Sequence, residues 1–367
     1  MSLKRFLIGS PIETIKEKYE RLTKRVGLAV FSSDSLSSVA YATEEILLAL
    51  LLGGAALIHY AMPVAIGITV LIAIVDISYF QTIHEYPSGG GAYTVAKENL
   101  GTYPGLVAGA ALLIDYVLTV TVSISAGVAA ITSTFPVLRN RTVTLCLVAI
   151  LFVMLVNLRG VRESGKAFLL PVYFFIGSLL LLIVVGLAKY SMLPQPPFAV
   201  HKESPANMVI LLVAMRAFAA GCAALTGIEA VANGVRAFKE PEARNAGITL
   251  GWMAVILATF FIGITFLADH YRILPAENET VLSQLARTVF SKGIFYYCVQ
   301  FSTSLILILA ANTSFADFPR LSSIMAADRY LPRQLSKEVR GSDLPIDICS
   351  YPLYHPFSSY DFNLQLI

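Results

Sequence analysis

Charge is scarce in this 367-residue sequence: Asp, Glu, Lys and Arg make up 14% of it, against roughly 25% in an average soluble chain. With 56% hydrophobic residues and a mean hydropathy of +0.70, there is too little polar surface to cover a water-facing globule. A soluble fold is excluded, and an integral membrane protein follows. The basic excess is small, +3 overall, and its Lys and Arg residues are scattered over loop ends. That excludes a nucleic-acid face as partner. Cysteine is equally sparse: Cys146, Cys222, Cys298 and Cys349 lie far apart with no Cys-x-x-Cys pair, so neither a disulfide framework nor a thiolate metal site is expected. The five histidines, His59, His84, His201, His270 and His355, fall at span ends or in loops and form no ligand cluster. Nothing pairs a nucleophile with a base, and Ser88-Gly89-Gly90-Gly91 lacks the Gly-Lys-Ser/Thr ending of a phosphate loop. An enzyme is therefore not expected, nor any bound cofactor.

What is present is apolar sequence in long runs. A crossing needs about 20 apolar residues, and such runs lie near 27–58, 61–82, 103–135, 142–158, 167–188, 206–232, 247–269 and 293–317. This predicts an all-α, polytopic helical membrane protein of about eight spans. Residues 1–26 hold seven basic residues and no cleavable signal, so they are expected to stay attached as a cytoplasmic segment. With the N-terminus inside, the segments on its side carry 19 Lys and Arg against seven on the other, and the positive-inside bias puts both ends in the cytoplasm.

The first and third runs, 32 and 33 residues, are too long for plain rods and must tilt, project or break. Ser32-Ser33-Asp34-Ser35-Leu36-Ser37-Ser38 puts serines and a carboxylate where hydrocarbon belongs, which predicts a break in span one. Gly221 and Thr226-Gly227-Ile228-Glu229 predict another in span six. Spans one and six are five apart. Transporters built of two inverted five-helix repeats break the first helix of each repeat at a midplane substrate site.

A carboxylate at the bilayer centre costs roughly 2.5–3.5 kcal/mol, so Asp34, Asp115 and Glu229 require compensation by a basic partner, a proton, water or a bound cation. The one basic residue within a span, Arg216, falls about a helical half away from Glu229. Asp115, Thr119 and Ser123 recur every four residues, placing a carboxylate and two hydroxyls in one row on a helix face. Asp34 and Tyr41 are seven apart, Thr226 and Glu229 three apart. These stripes offer only oxygen, which suits hard monovalent or divalent cations. For Thr119 and Ser123 the alternative is a bond back to the preceding helical carbonyl, and for Tyr41 a packed ring. Crowded buried carboxylates can also take up and release protons. Glu44 and Glu45 could line an outer vestibule or simply be solvated, and Asp76 in the second span has no assigned role.

Taken in order, Ser32-Ser33-Asp34-Ser35-Leu36-Ser37-Ser38-Val39-Ala40-Tyr41, Tyr86-Pro87-Ser88-Gly89-Gly90-Gly91-Ala92-Tyr93, Asp115-Tyr116-Val117-Leu118-Thr119, Asn157-Leu158-Arg159-Gly160, Thr226-Gly227-Ile228-Glu229-Ala230 and Ala310-Ala311-Asn312-Thr313 resemble the KimA-type potassium-proton symporters of the amino acid, polyamine and organocation superfamily. The resemblance runs from about residue 4 to 335. It implies a LeuT-like inverted repeat with discontinuous first and sixth helices, and potassium uptake with protons across the plasma membrane. It also implies a potassium and coupling site at Asp34, Tyr41, Asp115, Thr119, Ser123, Thr226 and Glu229, the first six as potassium ligands. The family's members carry about twelve spans, and KimA-type members add a cytoplasmic domain involved in dimerisation, so a homodimer is a further implied partner alongside lipid, potassium and protons.

Against that pattern the second repeat reads as incomplete. Segment 27–317 is expected to be the transport domain, 318–335 a cytoplasmic loop, and 336–367 a tail without family likeness, as a frameshifted or truncated frame would give. On this reading the polypeptide alone transports poorly. Two other functions stay open: an amino-acid or polyamine permease of the same superfamily, and a non-transporting fragment.

Overall fold

The computed structural model describes residues 21–87, 91–158, 165–190, 207–276 and 278–336. The expected N-terminal segment up to residue 20, the tail from 337 and Ser88-Gly89-Gly90 lie outside the described residues. Among the described residues the chain is helical, in the order α1 (Lys24–Phe31), α2 (Ser33–Leu51), α3 (Ala61–Glu85), α4 (Gly91–Leu100), α5 (Thr102–Thr134), α6 (Thr142–Leu158), α7 (Gly165–Ala188), α8 (Asn207–Gly221), α9 (Glu229–Asn233), α10 (Glu242–His270), α11 (Val281–Phe290) and α12 (Ile294–Ala327).

Among the described residues seven helical stretches are long and apolar enough to cross a membrane, against the eight spans expected. The exception is the first: α1 and α2 together are long enough, but Asp34, Glu44 and Glu45 all fall on α2. That pair is wrapped by protein instead of lipid. Leu36, Ile46 and Leu50 of α2 are completely buried, and α2 packs against α8, α12, α10 and α11. The peripheral helices show the opposite pattern, with Val107 and Ile114 on α5, Leu147 and Phe152 on α6, and Ile74 on α3 exposed. Such an apolar exterior is unfavourable in water and natural in hydrocarbon.

Two boundaries depart from the sequence expectation, and the long third span does not break. The first span ends at Leu51, not 58, because Gly53-Gly54 turns the chain, with Gly54 at φ +103°, a conformation that costs glycine little. The third, α5, is an unbroken 33-residue helix, about 50 Å long at a 1.5 Å rise. The last runs ten residues past 317, through much of the expected loop, because Leu321 and Met325 continue the helical spacing and pack with Tyr93 and Tyr116. Pro319 sits inside this helix without ending it.

The helices are joined by buried polar pairs: Thr43 to Thr265 at 2.9 Å, Ser178 to Ser302 at 2.7 Å and the Asn157 amide donating to Asn312 at 2.7 Å. Hydroxyl and amide pairs of this kind register helices against each other in lipid. Among the described residues the α12 and α5 helices share the most extensive interface.

Candidate functional site

The site lies where the two interrupted helices meet. The interruption between α1 and α2 is narrower than its five serines suggested. It is one residue wide at Ser32, whose N–H still reaches the Leu28 carbonyl at 3.0 Å and whose own carbonyl accepts from Leu36 N–H at 2.8 Å. Two of the serines bond back within their own turn, Ser37 Oγ to the Asp34 carbonyl at 2.7 Å and Ser38 Oγ to the Ser35 carbonyl at 2.6 Å, whereas Ser32 Oγ and Ser35 Oγ are buried without a partner. This produces a bend that sets Asp34 in the first turn of α2 without unwinding the backbone.

The second interruption is a true break. After α8 ends at Gly221 the chain makes a short 3-10 turn over Cys222–Leu225. It then passes Thr226 in an extended conformation and Gly227 at φ +79°, and restarts as α9 at Glu229. The Glu229 carboxylate lies beside the backbone N–H groups of Gly227 and of Glu229 itself. Backbone donors freed by the break thus face one carboxylate.

The two interruptions touch. A Cβ placed on Gly227 would lie 2.8 Å from Cβ, Cγ and Oδ2 of Asp34, so only glycine admits the aspartate there. Ser38 Oγ reaches the Ala224 carbonyl at 3.4 Å, and the Tyr41 and Thr226 side chains lie near one another. Asp34 is 5% exposed, and its Oδ1 has no hydrogen-bond partner. Glu229 and Asp115 both lie close enough for their charges to act on it. Asp34 thus meets the sixth-span break directly, Tyr41 lies near Thr226, and the Glu229 and Asp115 carboxylates are within electrostatic reach of Asp34.

Thr119 and Ser123 continue the Asp115 row along α5, and both are buried. Ser123 is completely buried, with its hydroxyl unpartnered, so the bond back to a helical carbonyl weighed above is not made there. Asp76 is half-buried on α3, its Oδ1 also without a partner. On the far side of Tyr41, a cavity of about 410 Å³ is lined by Tyr41, Glu44, Glu45, Ser125, Thr280 and Thr303 among others. Both glutamates face a vestibule.

Sequence reasoning missed one carboxylate. Asp317 on α12 is 6% exposed, accepts from Arg320 Nη1 at 2.7 Å and acts electrostatically on Asp34 and Glu229. The signal was available as an aspartate closing an apolar run, with an arginine three residues on. Placing the end of the span at 317 made it an edge residue.

Residues 27–341 match the model of a family described as amino acid permease. The potassium transporter KimA of Bacillus subtilis (strain 168) is 48% identical over 345 residues, covering 94% of this chain and 56% of its own length. The low-affinity putrescine importer PlaP of Escherichia coli (strain K12) is 22% identical over 273 residues, covering 70% of this chain and 57% of its own. The chain thus spans rather more than half the length of these relatives. With its interrupted first and sixth crossings and its apolar exterior, this multi-pass membrane protein belongs to the amino acid permease family.

Proposed function

We propose that this chain is the membrane core of a transporter that imports potassium together with protons. Asp34 carries the reading. It is a carboxylate enclosed by protein, pressed against a glycine break, with one oxygen unpartnered and more carboxylates nearby. Leaving a buried acceptor without a partner costs about 1–3 kcal/mol, more when it is charged. A dehydrated cation would remove that cost. The lining is oxygen from carboxylates, hydroxyls and backbone, which suits a hard alkali cation. The likeness to a potassium transporter at 48% identity gives the ion its name. An inside-negative potential then favours each imported charge by about 2.3 kcal/mol per 100 mV, so no ATP is required. The distribution of Lys and Arg supports a plasma-membrane orientation with the N-terminus in the cytoplasm.

A diamine is the second reading, favoured by the likeness to a putrescine importer and by an anionic pocket that would welcome a cationic amine. An amino acid fits less well, since Asp34 would repel its carboxylate. The chain purified in detergent is the direct test. Potassium, but not choline, should raise its melting temperature, and putrescine at equal ionic strength should do less. Stabilisation by putrescine alone would reverse the assignment. Proton coupling is read in proteoliposomes as rubidium-tracer uptake that rises with an inward pH gradient.

A further inference from the structure

On the outer side of Tyr41 the cavity described above is larger than a passing ion requires. Its lining comes from α2 with Tyr41, Glu44 and Glu45, from α5 with Val122 and Ala126, from α11 with Leu282 and from α12 with Leu307. Its volume of about 410 Å³ falls within the roughly 300–1,000 Å³ of small-molecule pockets.

The two glutamates in it are not equivalent. Glu44 is committed, because its Oε2 accepts from the Val281 N–H at 3.1 Å. Glu45 is exposed and makes no hydrogen bond or ion pair among the described residues. No lysine or arginine lines the cavity to neutralise it, and its charge reaches Tyr41. The rest of the lining is chiefly apolar. One free carboxylate beside an apolar wall suits a cation with an aliphatic body. A dehydrated alkali ion gains nothing from methyl groups and water finds few partners there, whereas an alkylammonium gives its N–H groups to Glu45 and buries its methylenes.

We propose that this cavity binds a primary alkylammonium, its charged head on Glu45 and its chain against Val122, Ala126, Leu282 and Leu307. Seated there it stands beside Tyr41 on the outer side and obstructs cations on their way to Asp34. The binding site is independent of the cation-transport reading above, and only the obstruction rests on it.

Carbon-14 n-hexylammonium, dialysed to equilibrium against the purified chain in nanodiscs with empty nanodiscs subtracted, tests the site. Saturable binding is expected. Glu45→Gln, a change at an exposed position, should weaken it about tenfold, the low end for a hydrogen bond to a charged group, and Glu45→Asp should retain most of it. n-Butylammonium, two methylenes shorter, should bind about tenfold more weakly, and n-hexanol at equal concentration should not displace the tracer. Ala126→Leu fills the cavity from α5 and should abolish binding at unchanged helix content. Binding no greater than that of empty nanodiscs, or equal binding by Glu45→Gln and the parent, overturns the site. Rubidium-86 reads the obstruction: n-hexylammonium at a concentration that fills the parent should slow rubidium association, and much less so in Glu45→Gln. An unslowed rate in the parent overturns it. If the parent binds n-hexylammonium but no rubidium, the transport reading falls and the obstruction with it, while the alkylammonium site stands.

Discussion

Asp34 lies directly against the backbone of Gly227, so closely that a Cβ at Gly227 would meet three of its side-chain atoms at 2.8 Å. The contact locks the bend of the first crossing to the break of the sixth, and it has no tolerance for even a methyl group. Gly227 also holds φ +79°, where an L-residue pays roughly 1–2 kcal/mol. Gly227→Ala should therefore reduce potassium-dependent stabilisation of the purified chain by about tenfold in half-saturating concentration, since 1.4 kcal/mol is a factor of ten. Membrane insertion should remain normal. Unchanged potassium response in Gly227→Ala would show that Asp34 is not held by this contact.

Asp115 and Glu229 both act on Asp34 through their charge, and each can be neutralised without changing shape. Asp115→Asn and Glu229→Gln should abolish rubidium binding to the purified chain while leaving expression and helix content intact. Glu229→Gln keeps the length and shape of the side chain, so the break keeps its geometry and only the charge is lost. Binding at the parent affinity in either variant would move the site elsewhere.

Both interruptions were legible because polar residues stood in runs that were otherwise apolar, and the carboxylates were legible because hydrocarbon leaves a charge no other explanation. The width of the first break was not, since it depends on Ser37 and Ser38 bonding back to carbonyls of their own turn. Asp317 was not, since its partnership with the site is set by packing between α12 and α2, far apart in sequence. Nor was the continuation of α12 past Pro319, which depends on Leu321 and Met325 finding Tyr93 and Tyr116.

Glu44 shows the same dependence on distant sequence. Its Oε2 accepts from the Val281 N–H at 3.1 Å, Ser133 Oγ accepts from the Thr280 N–H at 3.2 Å, and Thr280 Oγ1 accepts from the Ser283 N–H at 3.3 Å. Three donors that a helix start leaves open are thus met by α2, α5 and the cap residue. A negative side chain there also complements the helix dipole. Glu44→Ala should loosen α11 by about 1 kcal/mol, the usual cost of a lost cap, read as faster labelling of a cysteine placed at Arg287. Glu44→Gln keeps an acceptor and should lose less. Equal labelling in all three proteins would remove α11 from the control of the vestibule.

At the opposite end of the bundle Asp328, just past α12, accepts from Tyr93 Oη at 2.7 Å and pairs with Lys97 at 2.6 Å, tying α4 to the end of α12. Partial burial works against the Asp328 carboxylate. The bonds from Lys97 and Tyr93 outweigh it and hold its pKa below the ordinary value of 3.8. A carboxyl with a depressed folded pKa contributes stability that is complete above its unfolded pKa and fades as pH falls through the folded one. The tie should therefore be intact at pH 6 to 8 and fail only below about pH 4, near the unperturbed value for aspartate. Asp328→Asn should lower the melting temperature at pH 7 and converge on the parent as pH falls toward 3, whereas a difference that persists unchanged at pH 3 would assign the effect to packing rather than to the ion pair.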